Sequence, residues 1–142
     1  MISYPIEFQT KAAAHSGINS NWNIQSQNFE LSCAVPVEFE GPGQALSPED
    51  LFAQALTNCF VATFKVYAEK SRLEYDQVTC QGLLVVDLDE NKKPCMKTFK
   101  LMTSIQNPSS LEKAKLLAEK AFKNGFILNS VKTQLTFELV LN

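Results

Sequence analysis

Four cysteines and one histidine are the side chains of this sequence with the clearest capacity to act as nucleophiles, bases or metal ligands. The cysteines are Cys33, Cys59, Cys80 and Cys95, and the histidine is His15. No two cysteines have the C-x-x-C spacing of structural zinc sites, so the sequence predicts no metal site and no cofactor. In a reducing compartment the thiols stay unpaired, and each is either a small buried hydrophobe or a reactive centre.

Cys59 is the cysteine whose position best suits a catalytic thiol. It lies about 12 residues inside a predicted helix, where it could act as a nucleophile shielded from bulk solvent. Core packing is the alternative interpretation, because cysteine is among the most often buried residue types. The dipole of a helix acts only near its ends and burial disfavours a thiolate, so a reactive Cys59 needs a cation from elsewhere in the fold.

Glu49 is the acidic candidate for a site shared with Cys59. Ten residues of helix place the two about 15 Å apart along the axis and about 80° apart around it, so they cannot touch within one helix. Glu49 therefore meets Cys59 through a second copy of the chain or a bridging group, or it is only a favourable charge in the first helical turn.

The remaining candidates have simpler predicted roles. Cys33 and Cys80 lie on apolar strand faces, which predicts that they are core residues. Cys95 follows a polar turn and is predicted to be exposed and weakly reactive. His15 stands alone beside a turn signal, which is typical of a surface residue.

Length and charge bound the class of protein. The chain has 142 residues, 13 basic and 15 acidic side chains and 45% hydrophobic residues, which predicts one domain over residues 1–142. The positive charges are scattered along the sequence and form no basic segment of the kind that binds nucleic acid. Because the sequence also shows neither a signal-peptide pattern nor a long apolar run, we expect no membrane segment and a cytoplasmic location.

The N-terminal third alternates between apolar and polar residues, as half-buried strands do. The alternation predicts strands over Tyr4–Thr10 and Phe29–Phe39, with a shorter one near Asn21–Ser26 between two turn signals. Pro36 restricts the end of the third strand to a sheet edge. We expect an antiparallel meander.

A helix start follows the meander. Ser47 is the predicted N-cap, Pro48 the first helical residue, and the helix runs to about Ser71. Its polar arc holds Gln54, Asn58, Lys65 and Glu69, which leaves Cys59 pointing into packed protein.

The C-terminal half contains two strands, a helix and a last strand. The strands are predicted over Val78–Leu88 and Phe99–Ile105, joined by the turn Asp89–Pro94. Ser109 and Glu112 have capping-box spacing before a helix that ends near Gly125, and Val131–Leu141 alternates as a final strand. The order β-β-β-α-β-β-α-β predicts an α+β fold, with antiparallel sheets packed on helices.

The segment Gly41–Phe60 carries a resemblance to a known family. It reads Gly-Pro-Gly-Gln-Ala-Leu-Ser-Pro-Glu-Asp-Leu-Phe-Ala-Gln-Ala-Leu-Thr-Asn-Cys-Phe. This resembles the glycine-rich loop, Ser-Pro-Glu helix start and alanine-rich run to cysteine of the OsmC/Ohr family of osmotically inducible and organic-hydroperoxide-resistance proteins. The resemblance implies an intertwined homodimer with active sites at the subunit interface, which would also let Glu49 approach Cys59.

The resemblance also implies a reaction for Cys59, but this sequence lacks two residues that the family uses in it. Cys59 matches the residue that attacks an organic hydroperoxide and becomes a sulfenic acid. The family's second cysteine, which resolves the sulfenic acid, falls on Gly125 here. The family's arginine is absent, since residues 12–32 contain neither Arg nor Lys and the chain's one arginine is Arg72; Lys11, His15 or Arg72 would have to replace it.

Two functions fit these features. The first is a one-cysteine thiol peroxidase in which Cys59, with Glu49, reduces a small organic hydroperoxide. An external thiol reductant, or one of Cys33, Cys80 and Cys95, then regenerates it. The second is a homodimer that binds an apolar small molecule without turnover and keeps Cys59 for packing.

Overall fold

A computed structural model describes residues 2–142, which fall into two compact units divided between Leu51 and Phe52. Each unit contains its own three-stranded sheet. The prediction of one domain over the whole chain stays a prediction. No helix among the described residues has the length and apolar character needed to cross a membrane.

The order of helices and strands confirms the predicted α+β fold. The elements are β1 (Thr10–Ala13), β2 (Trp22–Ser26), β3 (Phe29–Cys33), a 3-10 helix (Val37–Phe39), α1 (Pro48–Lys70), β4 (Gln77–Leu88), β5 (Pro94–Gln106), α2 (Leu111–Asn124), a second 3-10 helix (Leu128–Ser130) and β6 (Gln134–Leu141).

The first unit contains the predicted antiparallel meander, but its first strand begins later in the chain than predicted. β1 begins at Thr10, opposite Ser26, instead of covering Tyr4–Thr10. Because β2 ends at Ser26, it offers no ladder partner to residues 4–9. Alternation alone predicted a strand there, and the prediction was wrong.

The third strand is also shorter than predicted. β3 ends at Cys33 and not at Phe39. Pro36 has no N–H to give to a ladder, and its carbonyl instead accepts bonds from the N–H groups of Phe39 at 3.0 Å and Gly41 at 3.1 Å. The residues from Val37 to Phe39 therefore form a 3-10 turn.

Helix α1 begins as its sequence predicts. The Ser47 hydroxyl accepts a hydrogen bond from the Asp50 N–H at 3.0 Å, and Asp50 Oδ2 accepts one from the Ser47 N–H at 2.9 Å. This reciprocal cap satisfies donors that a helix start otherwise leaves free. α1 ends at Lys70, one residue before the predicted end.

The sheet of the second unit has the order β4-β5-β6. β4 and β5 form the predicted antiparallel hairpin, whereas β6 lies parallel to β5. A parallel neighbour requires a crossover connection, and α2 provides it. β5 begins at Pro94, so Cys95 pairs with Asp87 inside the hairpin and is half-buried, contrary to the predicted exposed turn position.

The N-cap of α2 is Ser110 and not Ser109. The Ser110 hydroxyl accepts a bond from the Lys113 N–H, while the Ser109 hydroxyl accepts one from the Glu74 N–H at 3.1 Å. The helix ends before Gly125, as predicted. β6 begins at Gln134, three residues after its predicted start, and its ladder with β5 begins there, opposite Thr98.

The core of the second unit lies between its helices and its sheet. Its largest fully buried side chains come from α1 and β5, and they are Leu56, Phe60, Phe64, Phe99, Leu101 and Ile105. α2 adds Ala114, Leu117, Ala118 and Ala121. Cys59 belongs to the same cluster, which confirms that α1 turns its thiol-bearing face towards packed protein.

Gly82 allows β4 to approach α1 closely. A Cβ added at Gly82 would overlap the ring of Phe99 and lie 2.8 Å from Thr57 Oγ1. We expect Gly82→Ala to lower the free energy of unfolding by about 1–3 kcal/mol, as overpacking does. Urea unfolding measures this, with the exposed neighbour Gln81→Ala as control. Equal unfolding midpoints for the two variants would contradict this packing.

Candidate functional site around Cys59

Cys59 lies in the middle of α1 and is 9% exposed. Leu56 and Phe60, its buried neighbours on the helix, belong to the core of the second unit. The Thr63 hydroxyl donates a hydrogen bond to the Cys59 carbonyl at 2.7 Å, so this turn of the helix is held by a side chain as well as by the backbone. Within residues 2–142, Cys59 Sγ makes no hydrogen bond.

The backbone of Gly125 lies close to the Cys59 thiol. A Cβ built on Gly125 would stand 2.9 Å from Cys59 Sγ and 3.0 Å from Leu128 Cδ1. The backbone of Gly125 has φ −60° and ψ 132°, a conformation that any residue adopts. A side chain at this position therefore meets Cys59 Sγ and Leu128 Cδ1, while the backbone conformation does not require glycine. The C-cap signal gave no sign of this proximity, whereas the resemblance that places the family's second cysteine at position 125 implied it.

The distance between Cys59 Sγ and the Cβ position of residue 125 is close to the one found in a disulfide. Across a disulfide with an S–S bond of about 2.04 Å, the Cβ of one cysteine lies about 3.0 Å from the sulfur of the other. The Cβ position of residue 125 meets that condition relative to Cys59. Position 125 is thus where a second thiol would pair with Cys59, and this chain has a glycine there.

Glu49 lies in the first turn of α1. Its Oε2 is buried and has no hydrogen-bond partner among residues 2–142. Ten residues separate it from Cys59 along the same helix, a rise of about 15 Å, so one copy of α1 does not bring the carboxylate to its own thiol. The role of Glu49 in chemistry stays a prediction.

The three cations considered as replacements for the family's arginine lie in different places. Arg72 follows the end of α1, and the rise from Cys59 to Lys70 alone is about 16 Å, so Arg72 does not reach the thiol of its own chain. Lys11 and His15 are exposed residues of the first unit, Lys11 in β1 and His15 after it.

The other thiols differ in their surroundings. Cys33 is buried, and burial raises the pKa of its thiol. Burial also raises the pKa of the half-buried Cys80, while its contact with Thr103 Oγ1 at 3.4 Å lowers it by less. A raised pKa leaves less thiolate at neutral pH, so both are poor nucleophiles. Residues 2–142 hold no group of three or more His, Cys, Asp or Glu side chains arranged for a metal ion.

Fold and site together define an α+β protein with a cysteine-bearing long helix packed against the end of a second helix. A family model described as OsmC-like protein matches residues 41–140, and the chain belongs to this family. The matched residues include Glu49, Cys59 and Gly125, and they span the division between the two units.

Solved structures share this fold at low sequence identity. An OsmC-like protein of unknown function from Vibrio cholerae has a TM-score of 0.85 at 16% identity, covering 96% of this chain and 100% of that one. The organic hydroperoxide resistance protein OsmC of Legionella pneumophila has a TM-score of 0.75 at 22% identity, covering 99% of each chain. OhrB of Bacillus subtilis, an organic hydroperoxide resistance protein, has a TM-score of 0.66 at 19% identity, covering 96% of this chain and 98% of that one.

A curated relative is the uncharacterized protein YmaD of Bacillus subtilis. The two are 26% identical over an alignment of 82 positions, and the match covers 52% of this chain and 55% of YmaD. The match therefore spans about half of the relative's length.

A cysteine introduced at position 125 should pair with Cys59. We expect Gly125→Cys to form a disulfide between Cys59 and the introduced thiol under mild oxidation with diamide, because the Cβ position already has disulfide spacing from Sγ. Non-reducing peptide mass spectrometry identifies the link. Phe126→Cys, a substitution of the exposed neighbouring residue, is the control and should give no link to Cys59. A well-folded Gly125→Cys protein in which both thiols stay free would contradict the geometry.

Proposed function

We propose that this protein reduces organic hydroperoxides with Cys59 as the single catalytic cysteine, as a homodimer supplied with electrons by an external thiol. Membership of the OsmC-like family supports a role in redox or peroxide-resistance chemistry. The 2.9 Å distance between Cys59 Sγ and the Cβ position of Gly125 carries the more specific proposal, because it matches the spacing of a two-cysteine site from which the second thiol is missing.

The proposed cycle balances with two thiols and no resident cofactor. The Cys59 thiolate attacks the distal oxygen of the hydroperoxide, an S–O bond forms as the O–O bond breaks, and an alcohol leaves after taking up a proton. The resulting sulfenic acid condenses with an external thiol and releases water. A second thiol attacks this mixed disulfide and restores Cys59. The proposal places the protein in a reducing compartment such as the cytoplasm, where unpaired cysteines persist.

Apolar residues beside Gly125 favour an organic substrate over hydrogen peroxide. Phe126 and Ile127 follow Gly125 directly and are 73% and 44% exposed. Such side chains gain from contact with a hydrocarbon tail, which would leave water as it approaches the thiol. Their position directly after Gly125, whose Cβ position lies 2.9 Å from Cys59 Sγ, supports an apolar approach to the sulfur.

The first unit supports the homodimer. Among its described residues the buried apolar side chains are Cys33 and Ala34, whereas ten large ones are exposed: Ile2, Tyr4, Ile6, Phe8, Ile18, Phe29, Leu31, Val37, Phe39 and Leu46. A three-stranded sheet needs an apolar face that is covered, and monomers rarely expose apolar surface on this scale. A second copy of the chain is the proposed cover.

The homodimer also gives Glu49 a proposed role in the site. Its buried Oε2 has no partner within residues 2–142, and a buried carboxylate oxygen is costly without a donor. We assign that donor to the second copy. Glu49 would then anchor a cation near the partner's Cys59, which one helix alone does not allow.

A binding protein without turnover is the second candidate. Cys59 is 9% exposed and its Sγ has no hydrogen bond within residues 2–142, which also suits a packing role. In this case the homodimer would hold an apolar small molecule, and the thiol would stay reduced in the presence of peroxide.

Removal of the thiol separates the two candidates. We expect native protein to consume cumene hydroperoxide with a dithiol as reductant, and Cys59→Ser to fall to the rate of the dithiol alone, because the only proposed nucleophile is gone. Consumption of peroxide and the mass of the Cys59 peptide are followed together. Cys95→Ser is the control and should keep its activity with this reductant. Equal turnover by native protein and Cys59→Ser would overturn the peroxidase proposal.

The proposed dimer depends on the exposed apolar face of β3. Phe29 is 73% exposed, so Phe29→Asp should leave the single chain folded while it weakens association, because an interface would bury the new charge. Sedimentation velocity over a range of concentrations measures the shift towards monomer. Ser32→Asp, on the other face of β3, is the matched control. A native protein that sediments as a monomer at every concentration would contradict the dimer.

A further inference from the structure

An open cleft of about 850 Å³ in the second unit has Cys95 among its lining residues. We name it the Cys95 cleft. Its walls are Asp89–Asn91 in the β4–β5 turn, Cys95–Lys97 in β5 and the segment Ser130–Thr133, with Phe52 of α1. Neither Cys59 nor Gly125 lines it. Its volume is in the range of small-molecule sites.

One wall of the Cys95 cleft is a hydrogen-bonded turn. Asp89 Oδ1 accepts bonds from the N–H groups of Asn91 at 2.8 Å and Lys93 at 2.9 Å. The Asp89 N–H in turn donates to the Lys93 carbonyl at 2.8 Å. These bonds hold the turn in shape before any ligand arrives, which lowers the entropic cost of binding.

Thr133 supplies an unused polar group to the Cys95 cleft. The residue is 8% exposed, and within residues 2–142 its hydroxyl makes no hydrogen bond. The hydroxyl oxygen is not among the buried side-chain atoms that lack a partner, so it stays accessible from the cleft. Because Thr133 lines the cleft, a bound molecule can complete its hydrogen bonding.

The charges of the Cys95 cleft have both signs. Lys97 and Lys132 line it together with Asp89 and Glu90. The ion pair within residues 2–142 joins Lys100 to Glu138, so none of these four side chains is neutralised by an ion pair. Lys97 Nζ donates to the Leu88 carbonyl at 2.8 Å, which positions its charge at the wall. A ligand with both a carboxylate and an ammonium group matches this lining.

We propose that the Cys95 cleft binds the disulfide form of an amino-acid thiol and that Cys95 exchanges with it. The carboxylate pairs with the lysines, the ammonium group pairs with the acidic side chains, and the sulfur atoms meet the thiol. The Cys95 thiolate attacks one sulfur, so a new S–S bond forms as the S–S bond of the ligand breaks. The other sulfur leaves as a thiolate and takes up the proton that Cys95 released. The product is a mixed disulfide on Cys95.

The inference goes beyond the proposed peroxidase function and does not depend on it. Cys59→Ser therefore serves as the background for its test, where a failure of peroxide chemistry has no effect on the result. The probes are cystine, which carries both charges, and cystamine, which lacks the carboxylates. Peptide mass spectrometry follows the mixed disulfide at Cys95 and separates it from Cys33 and Cys80.

In the folded Cys59→Ser protein we expect Cys95 to favour cystine over cystamine more strongly than it does in urea-unfolded protein. Lys132→Gln should slow the cystine reaction by about two- to fivefold, the size of one exposed charge interaction, without slowing the cystamine reaction. Lys115→Gln, an exposed lysine of α2 outside the cleft, is the matched control and should change neither rate.

Three results would overturn the proposal. One is an equal cystine-to-cystamine ratio in folded and unfolded protein, which would mean that the cleft does not select its ligand. Another is a Lys132→Gln effect of the same size on both probes. The third is a Cys95 that forms no mixed disulfide with either probe while the protein is folded.

Discussion

The close approach of Cys59 Sγ to the Cβ position of residue 125, 2.9 Å away, is the constraint on which the site depends. It ties the middle of α1 to the point where α2 ends, and hydrogen bonds of the following residues hold that point in place. The Asn129 N–H donates to the Gly125 carbonyl at 2.9 Å, and the Ser130 hydroxyl donates to the Phe126 carbonyl at 2.6 Å. Leu128, buried in the core, lies against the same glycine. The thiol therefore lies among groups with little freedom to move, since interiors are close-packed.

This constraint decides what kind of redox cycle the site can support. A site with cysteines at both positions can close a disulfide without help, because its second sulfur is already within bonding range. With glycine at position 125, a sulfenic acid on Cys59 needs a thiol from outside the pair. Cys33 and Cys80 are poor nucleophiles, because burial raises the pKa of each. The proposed cycle thus depends on the access of an external reductant to a sulfur that is 9% exposed.

Local signals in the sequence predicted the helices well and the sheets less well. Ser47 and Pro48 mark the start of α1 through interactions within a few residues, and such signals survive in any fold. A strand needs a ladder partner, which alternation does not reveal: residues 4–9 alternate without one, and Pro36 turns the end of the third pattern into a 3-10 helix. The parallel pairing of β6 follows from the crossover through α2, and the proximity of Gly125 to Cys59 follows from packing between elements far apart in the chain. Neither is visible in local periodicity or capping signals, and only the family resemblance implied that position 125 lies near Cys59.

We propose different classes of partner for two thiols of this chain because their surroundings differ. Cys59 is enclosed by core side chains and by Gly125, so a molecule that reacts there must be narrow at its reactive end and apolar behind it. Cys95 stands in a wide, charged cleft, where a molecule is selected by paired charges instead of by apolar area. Removal of water at Cys59 favours apolar groups and penalises charged ones. The open cleft at Cys95 keeps charges hydrated, so each ion pair there contributes only a small gain in binding free energy. In the two proposals, peroxide chemistry and thiol exchange therefore take place on separate sulfurs, since a substrate suited to one site is poorly held by the other.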